Sequence, residues 1–150
     1  MLTKAQWQHL IPHRGAMSLL DTVVAWDDTR IHLSADSHRH ADNPLRSDGQ
    51  LRAVHLCEYG AQAMAVHGGL LAQRGGAVAA PGLLVSLRAV ELRVARIDDL
   101  RGALDVHAEK LLDSGTSWQY AFRIEHENRL LAEGRAAVIA HAQSSPSIRD

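Results

Sequence analysis

The stretch Leu51–Arg74, LRAVHLCEYGAQAMAVHGGLLAQR, limits what this chain can become more than any other. It reads as one helix of about six turns. Leu51, Val54, Leu56, Cys57, Tyr59, Ala61, Met64, Val66, Leu70 and Leu71 leave almost no polar side. A helix that is hydrophobic all round is buried inside something larger. The exceptions line up: His55, Glu58 and Gln62 fall within about 60° of one another, with Arg52 a further 60° or so away. The expectation is a buried helix with one narrow polar seam. A buried carboxylate needs a partner, a proton or a chemical role, so the seam is where function is sought.

The 150 residues suffice for one domain with a proper core, expected over 1–142, with the polar end AQSSPSIRD making residues 143–150 a frayed tail. A net charge of -1 gives no reason to expect nucleic acid or a membrane surface as a partner. The ten histidines are scattered without metal-ligand spacing, and no metal or cofactor is expected. No apolar run reaches the roughly 18 residues of a membrane span, because Arg52, His55, Glu58 and Gln62 interrupt the best candidate. The N-terminus lacks the order of a signal peptide. A single cysteine, Cys57, cannot form an internal disulfide, which makes a reducing cytoplasm the simplest location.

Around the helix the sequence alternates. Residues 3–10 predict a short helix capped by Thr3, ended by Pro12. Met17–Trp26 and Arg30–Asp36 predict two strands joined by the polar turn Asp27-Asp28-Thr29. Residues 37–50, with Asn43-Pro44 and Asp48-Gly49, read as a loop feeding the helix. Gly75-Gly76 supply the helix stop. Four extended segments follow, at 81–96, 100–113, 116–127 and 129–141, the last three linked by short turns into an antiparallel meander. Such a sheet with one apolar helix has one economical solution: it curls around the helix, and Gly60, Ala61, Ala63 and Ala65 are small enough to let strands approach.

These elements, in this order, resemble the hot-dog fold, an α+β architecture in which an antiparallel β-sheet wraps one long central helix. Ile11-Pro12-His13-Arg14-Gly15-Ala16-Met17-Ser18-Leu19-Leu20-Asp21 resembles the opening "LPHRxPxLLxD" of 3-hydroxyacyl-acyl carrier protein dehydratases. Glu58-Tyr59-Gly60-Ala61-Gln62 with Gly68-Gly69-Leu70 resembles that family's "EAxAQ…GGxL" helix motif. The loop Ala41-Asp42-Asn43-Pro44-Leu45 looks most like the divergent branch associated with aryl polyene biosynthesis. One departure stands out. Family members carry "HFPG" before the helix glutamate, its histidine being the catalytic base, whereas this sequence has Asn43-Pro44 at that distance. Asparagine cannot take a proton at neutral pH.

The resemblance implies a lyase that dehydrates a 3-hydroxyacyl thioester in fatty acid or polyketide (aryl polyene) type biosynthesis. That reaction needs a base for the C2 proton, an acid for the departing C3 hydroxyl, and hydrogen-bond donors for the thioester oxygen. A carboxyl set in an apolar wall is suited to delivering a proton, and Glu58 holds the family's position for it. His55 on the same helix and His13 in the "PHR" motif are the candidate bases, with His38 and His40 behind them. Gln62 and Asn43 are candidate substrate-binding or orienting residues. A structural role is the alternative for each. The resemblance further implies acyl carrier protein or an acyl-CoA thioester as partner, met by a rim drawn from Arg39, Arg46, Arg88, Arg93, Arg96 and Arg101. It also implies a homodimer or higher oligomer, or a heterodimer with another hot-dog protein. An acyl thioesterase and a non-catalytic carrier-binding subunit are the other readings.

Overall fold

The structure, a computed structural model, describes residues 1–77 and 82–140; the expected tail at 143–150 lies outside them. The N-terminal helix is shorter than its pattern: α1 covers Lys4–Trp7 and continues as a 3-10 turn, Gln8–Leu10. Trp7 fills the core and its indole N–H donates to the Asp21 carbonyl at 2.8 Å. The "PHR" motif runs into a second 3-10 turn, Gly15–Met17, so the first strand, β1, begins only at Thr22 and ends at Trp26. Strand β2 follows at Arg30–Ala35, then α2 at Leu56–Arg74, β3 at Gly82–Leu92, β4 at Leu104–Asp113, β5 at Ser117–His126 and β6 at Arg129–Ala140.

Helix α2 starts five residues later than the apolar pattern predicts. Leu51 and Arg52 are drawn into strand-like pairing with residues 95–97: Ile97 N–H donates to Leu51 O at 2.9 Å and Ala53 N–H to Ala95 O at 3.0 Å. The Asp98 carboxylate accepts Leu51 N–H at 2.8 Å and is held by Arg96, which keeps its pKa well below the usual carboxylate range. A 3-10 turn at Ala53–His55 then leads into the helix. Local pattern alone could not reveal this, because the competing partner lies some 45 residues further along the chain.

The six strands form one antiparallel sheet in the order β1-β2-β4-β5-β6-β3. Its inner face meets α2 through the residues that the alternation marks as inward, among them Leu104, Val106, Ala108, Tyr120, Phe122 and Ile124. Close approach is enforced at Phe122. A Cβ on Gly60 of the helix would stand 2.8 Å from its ring, and a Cβ on Gly134 of β6 equally close. The sheet wraps the helix, which is the hot-dog arrangement.

The two sheet edges differ. At β1, Leu2 and Val23 exchange both backbone hydrogen bonds at 2.9 Å, and a bulge at Val23/Ala25 breaks the ladder. At β3, eleven residues rich in leucine and valine are exposed throughout and pair only with β6. A long apolar edge of this kind is a template for pairing with another chain.

Candidate functional site

Gln62 organises the seam. Its side-chain oxygen accepts Leu19 N–H at 2.9 Å, and its amide donates to Met17 O at 2.8 Å and to Glu58 Oε1 at 3.2 Å. One buried amide thus fixes the "PHR" segment against α2 and orients the glutamate. His13 is carried onto the same spot: its Nε2 lies 3.4 Å from Glu58 Oε1. His13 Nδ1 is shielded from solvent and has no hydrogen-bond partner. Glu58 is 36% exposed, so the seam that the pattern places in the interior opens instead to a cavity.

That cavity has a volume of about 670 Å³ and runs between α2, the N-terminal segment and the sheet. The helix contributes the face through Glu58, Ala61, Gln62, Ala65, Gly68 and Ala72, spaced at three or four residues as one helical face requires. Leu10, Pro12 and His13 form another wall, and Gly82 and Leu84 of the open edge strand β3 a third. Small residues along the helix face leave the room, and Leu84, Val138 and Met64 make its surroundings largely apolar.

The other expected site residues are placed elsewhere. His55 sits in the 3-10 turn before α2, off the end of the cavity-lining face. Asn43 is buried with every bonding group used: its amide donates to Ser37 O at 3.0 Å and Tyr59 Oη at 3.2 Å, and its oxygen accepts Leu45 N–H at 2.9 Å. The Ser37 hydroxyl is donated to Leu19 O at 2.8 Å, so the Tyr59 phenol donates to Ser37 at 2.7 Å. Burial pushes the Tyr59 pKa up. Where the family's base would stand, this chain has a satisfied network that ties the 37–50 loop to the helix. His38 is also buried, bonded through Nε2 to Leu100 O at 3.0 Å, and burial lowers its pKa. His40 is solvent-facing, 4.0 Å from Asp36. Burial raises the Cys57 thiol pKa, which leaves it a poor nucleophile.

Sequence reasoning missed Lys110, Asp113, Trp118 and Tyr120, which line the same cavity from the β4–β5 hairpin. The alternation marks Trp118 and Tyr120 only as the apolar face of a strand, and nothing near Lys110 or Asp113 marks them, since all four reach the cavity only through the sheet's curl. A wider groove of about 1040 Å³ crosses the outer sheet face near His32, His107 and Arg123. Arg30 pairs there with Glu109 at 2.9 Å, and His107 Nε2 lies 3.2 Å from Glu125. Among the described residues no group of three or more His, Cys, Asp or Glu side chains is arranged to hold a metal ion, and no helix is long and apolar enough to cross a membrane.

A six-stranded antiparallel sheet wrapped around one long helix defines the class of hot-dog proteins. Within that class, the chain belongs to the ApeP-like family, described as ApeP dehydratase, which it matches over residues 5–148. In three dimensions it is similar to a chain of the dehydratase heterocomplex ApeI:P from Xenorhabdus doucetiae. The TM-score is 0.83 at 23% identity, covering 95% of this chain and 93% of that one. It is also similar to a hypothetical thioesterase with coenzyme A from Streptococcus pneumoniae, at TM-score 0.58, 14% identity and coverage of 83% and 88%. No curated protein sequence matches the chain.

Proposed function

We propose that the protein is a 3-hydroxyacyl thioester dehydratase acting on carrier-borne acyl groups in aryl polyene type biosynthesis, with His13 and Glu58 as its acid–base pair. The observation that carries this reading is the 3.4 Å approach of His13 Nε2 to Glu58 Oε1 at one end of an acyl-sized cavity. His13 Nε2 takes the C2 proton of the substrate. Protonated Glu58 gives its proton to the C3 hydroxyl, which leaves as water, and the C2–C3 double bond forms. The proton then passes from His13 to Glu58 and restores both groups. Gln62 is a positioning residue that aims the Glu58 carboxyl. Backbone N–H groups near the start of α2 serve the thioester oxygen. His55 and Asn43, set apart from the cavity, take no part.

The working unit pairs β3 with another hot-dog chain. Gly82 and Leu84 of that strand are cavity wall as well as open edge, so a chain added along β3 extends the site. The likeness to one chain of a heterocomplex supports a non-identical partner. Half of the six-arginine rim expected for an acidic carrier is paired with carboxylates of the chain itself: Arg39 with Asp36, Arg93 with Glu91 and Glu133, Arg96 with Asp98. A carrier would have to compete for it.

The test follows enoyl formation from a 3-hydroxyacyl carrier substrate, with the chain alone and mixed with a second hot-dog subunit. Enoyl product that appears with the chain alone or only in the mixture, and is lost in Glu58→Gln, supports the reading. Release of free thiol without enoyl product selects a thioesterase, and tight carrier binding without turnover in either state selects a non-catalytic subunit.

A further inference from the structure

His13 reaches Glu58 from a stretch of chain with little else to hold it. Downstream, Gln62 fixes Met17 and Leu19, and Lys4 Nζ donates to Ser18 O at 2.8 Å. Upstream, Trp7 is sealed in the core. Between these anchors run Ile11, Pro12 and His13, outside any helix or strand. Pro12 has no N–H to offer, and Ile11 N–H meets Gln8 O only at 3.5 Å.

The imidazole gains no hold from behind. A histidine that moves protons is commonly oriented by a hydrogen bond on the nitrogen away from the reaction. His13 Nδ1 is shielded from solvent and has no such partner. The direction of the ring toward Glu58 therefore depends on the backbone that carries it.

Arg14 grips that backbone. Its Nη1 donates to Ile11 O at 2.6 Å and to His13 O at 3.1 Å, and no other described residue donates to either carbonyl. A terminal guanidinium nitrogen has two hydrogens, enough for both bonds, and the planar fork fixes their direction. Gly15, at φ +57°, turns the chain directly after it. Arg14 is exposed and is not part of the cavity lining. Water could satisfy two carbonyls at an exposed turn almost as well, so the bonds add little to stability. What they fix is conformation.

We propose that Arg14 is a positioning residue, which clamps Ile11–His13 into one conformation and so holds the His13 imidazole at Glu58. The proposal rests on reading His13 and Glu58 as the acid–base pair. It adds that the aim of His13 is set by its neighbour in the sequence, from outside the cavity.

The test reads His13 directly and needs no substrate. The full chain, unsubstituted and as Arg14→Ala and Arg14→Lys, is treated with diethylpyrocarbonate, and carbethoxylation of each histidine is followed by peptide mass spectrometry. Arg14→Ala is expected to raise the His13 rate several-fold, because the freed ring presents its nitrogens to solvent. The solvent-facing His40 and the buried His38 and His67 keep their rates. Arg14→Lys retains donors on a flexible stem, and its His13 rate falls between the two. Millimolar guanidinium added to Arg14→Ala brings the rate part of the way back. In the enoyl assay Arg14→Ala lowers kcat about ten- to a hundredfold with KM unchanged, the cost of misplacing a catalytic group. An unchanged His13 rate or an undiminished kcat overturns the clamp. So does a rise shared with His38 and His67, which marks loss of the fold, or a rise that neither lysine nor guanidinium reduces. The expected change in His13 reactivity in a protein without turnover upholds the clamp and counts against the dehydratase reading alone.

Discussion

Helix α2 carries two polar stations nine residues apart, Glu58 and His67, and they are built on opposite principles. His67 is 0% exposed and both of its ring nitrogens are bonded, one to Tyr120 and one to the Asp27 carbonyl. Nothing is left for a ligand. Glu58 is 36% exposed, shares one oxygen with His13 and Gln62, and faces open space. Both are polar residues on an apolar helix, and residue type does not separate them. Spare bonding capacity beside a cavity does. By the same measure Asn43 belongs with His67, its donors and acceptor all spent within the fold.

The contrast can be broken by substitution. Glu58→Gln keeps the shape and the hydrogen bond to Gln62 but removes the transferable proton. Turnover should drop about a hundred- to ten-thousandfold, read as enoyl absorbance, with the unfolding midpoint little changed. Unaltered turnover would remove Glu58 from the chemistry. His67→Leu should do the reverse, costing about 2–3 kcal/mol by leaving the Tyr120 hydroxyl and the Asp27 carbonyl without partners. Chemical denaturation measures it, and a cost near zero would mean that His67 is not the structural station described here. Gln62→Leu lies between the two. It strands Leu19 N–H and Met17 O, at about 1–2 kcal/mol, and frees the Glu58 carboxyl, so both stability and turnover should fall, each by less than in the single-purpose variants. A stability loss alone would limit Gln62 to holding the 3-10 turn.

The smallest effect is in pH. Burial lowers the His67 pKa from its ordinary value of 6.5. The unfolded chain then binds a proton before the native one does. The stability His67 contributes is complete above pH 6.5 and is lost as pH falls below that toward the native value. His38 and His107, also lowered by burial, act in the same direction. The difference in denaturation midpoint between the natural protein and His67→Leu should therefore narrow between about pH 7 and pH 5. A constant difference would show that His67 is not held neutral.

Much of the fold is legible in local pattern. Period-two alternation on β4 and β5 correctly marks Leu104, Val106, Tyr120, Phe122 and Ile124 as inward, because one face of each strand must meet α2. The helix motif and the "PHR" motif locate Glu58, Gln62 and His13 for the same reason: their chemistry and spacing are carried by short stretches. The start of α2 was not legible, since a partner strand some 45 residues away takes Leu51 and Arg52 from it. Neither was the role of Asn43, which depends on Ser37 and Tyr59 arriving together.

The sequence by itself determined that a sheet would wrap one apolar helix and that the helix would carry a glutamate, because periodicity and residue type act locally. Only the tertiary structure decided which histidine meets that glutamate, which polar residues are spent within the fold, and that the β4–β5 hairpin lines the same cavity. Those outcomes depend on distances between segments remote in the chain, set by the curl of the sheet and the close contact of Phe122 with Gly60 and Gly134. The seam on α2 becomes a candidate site because His13 and the cavity come to it.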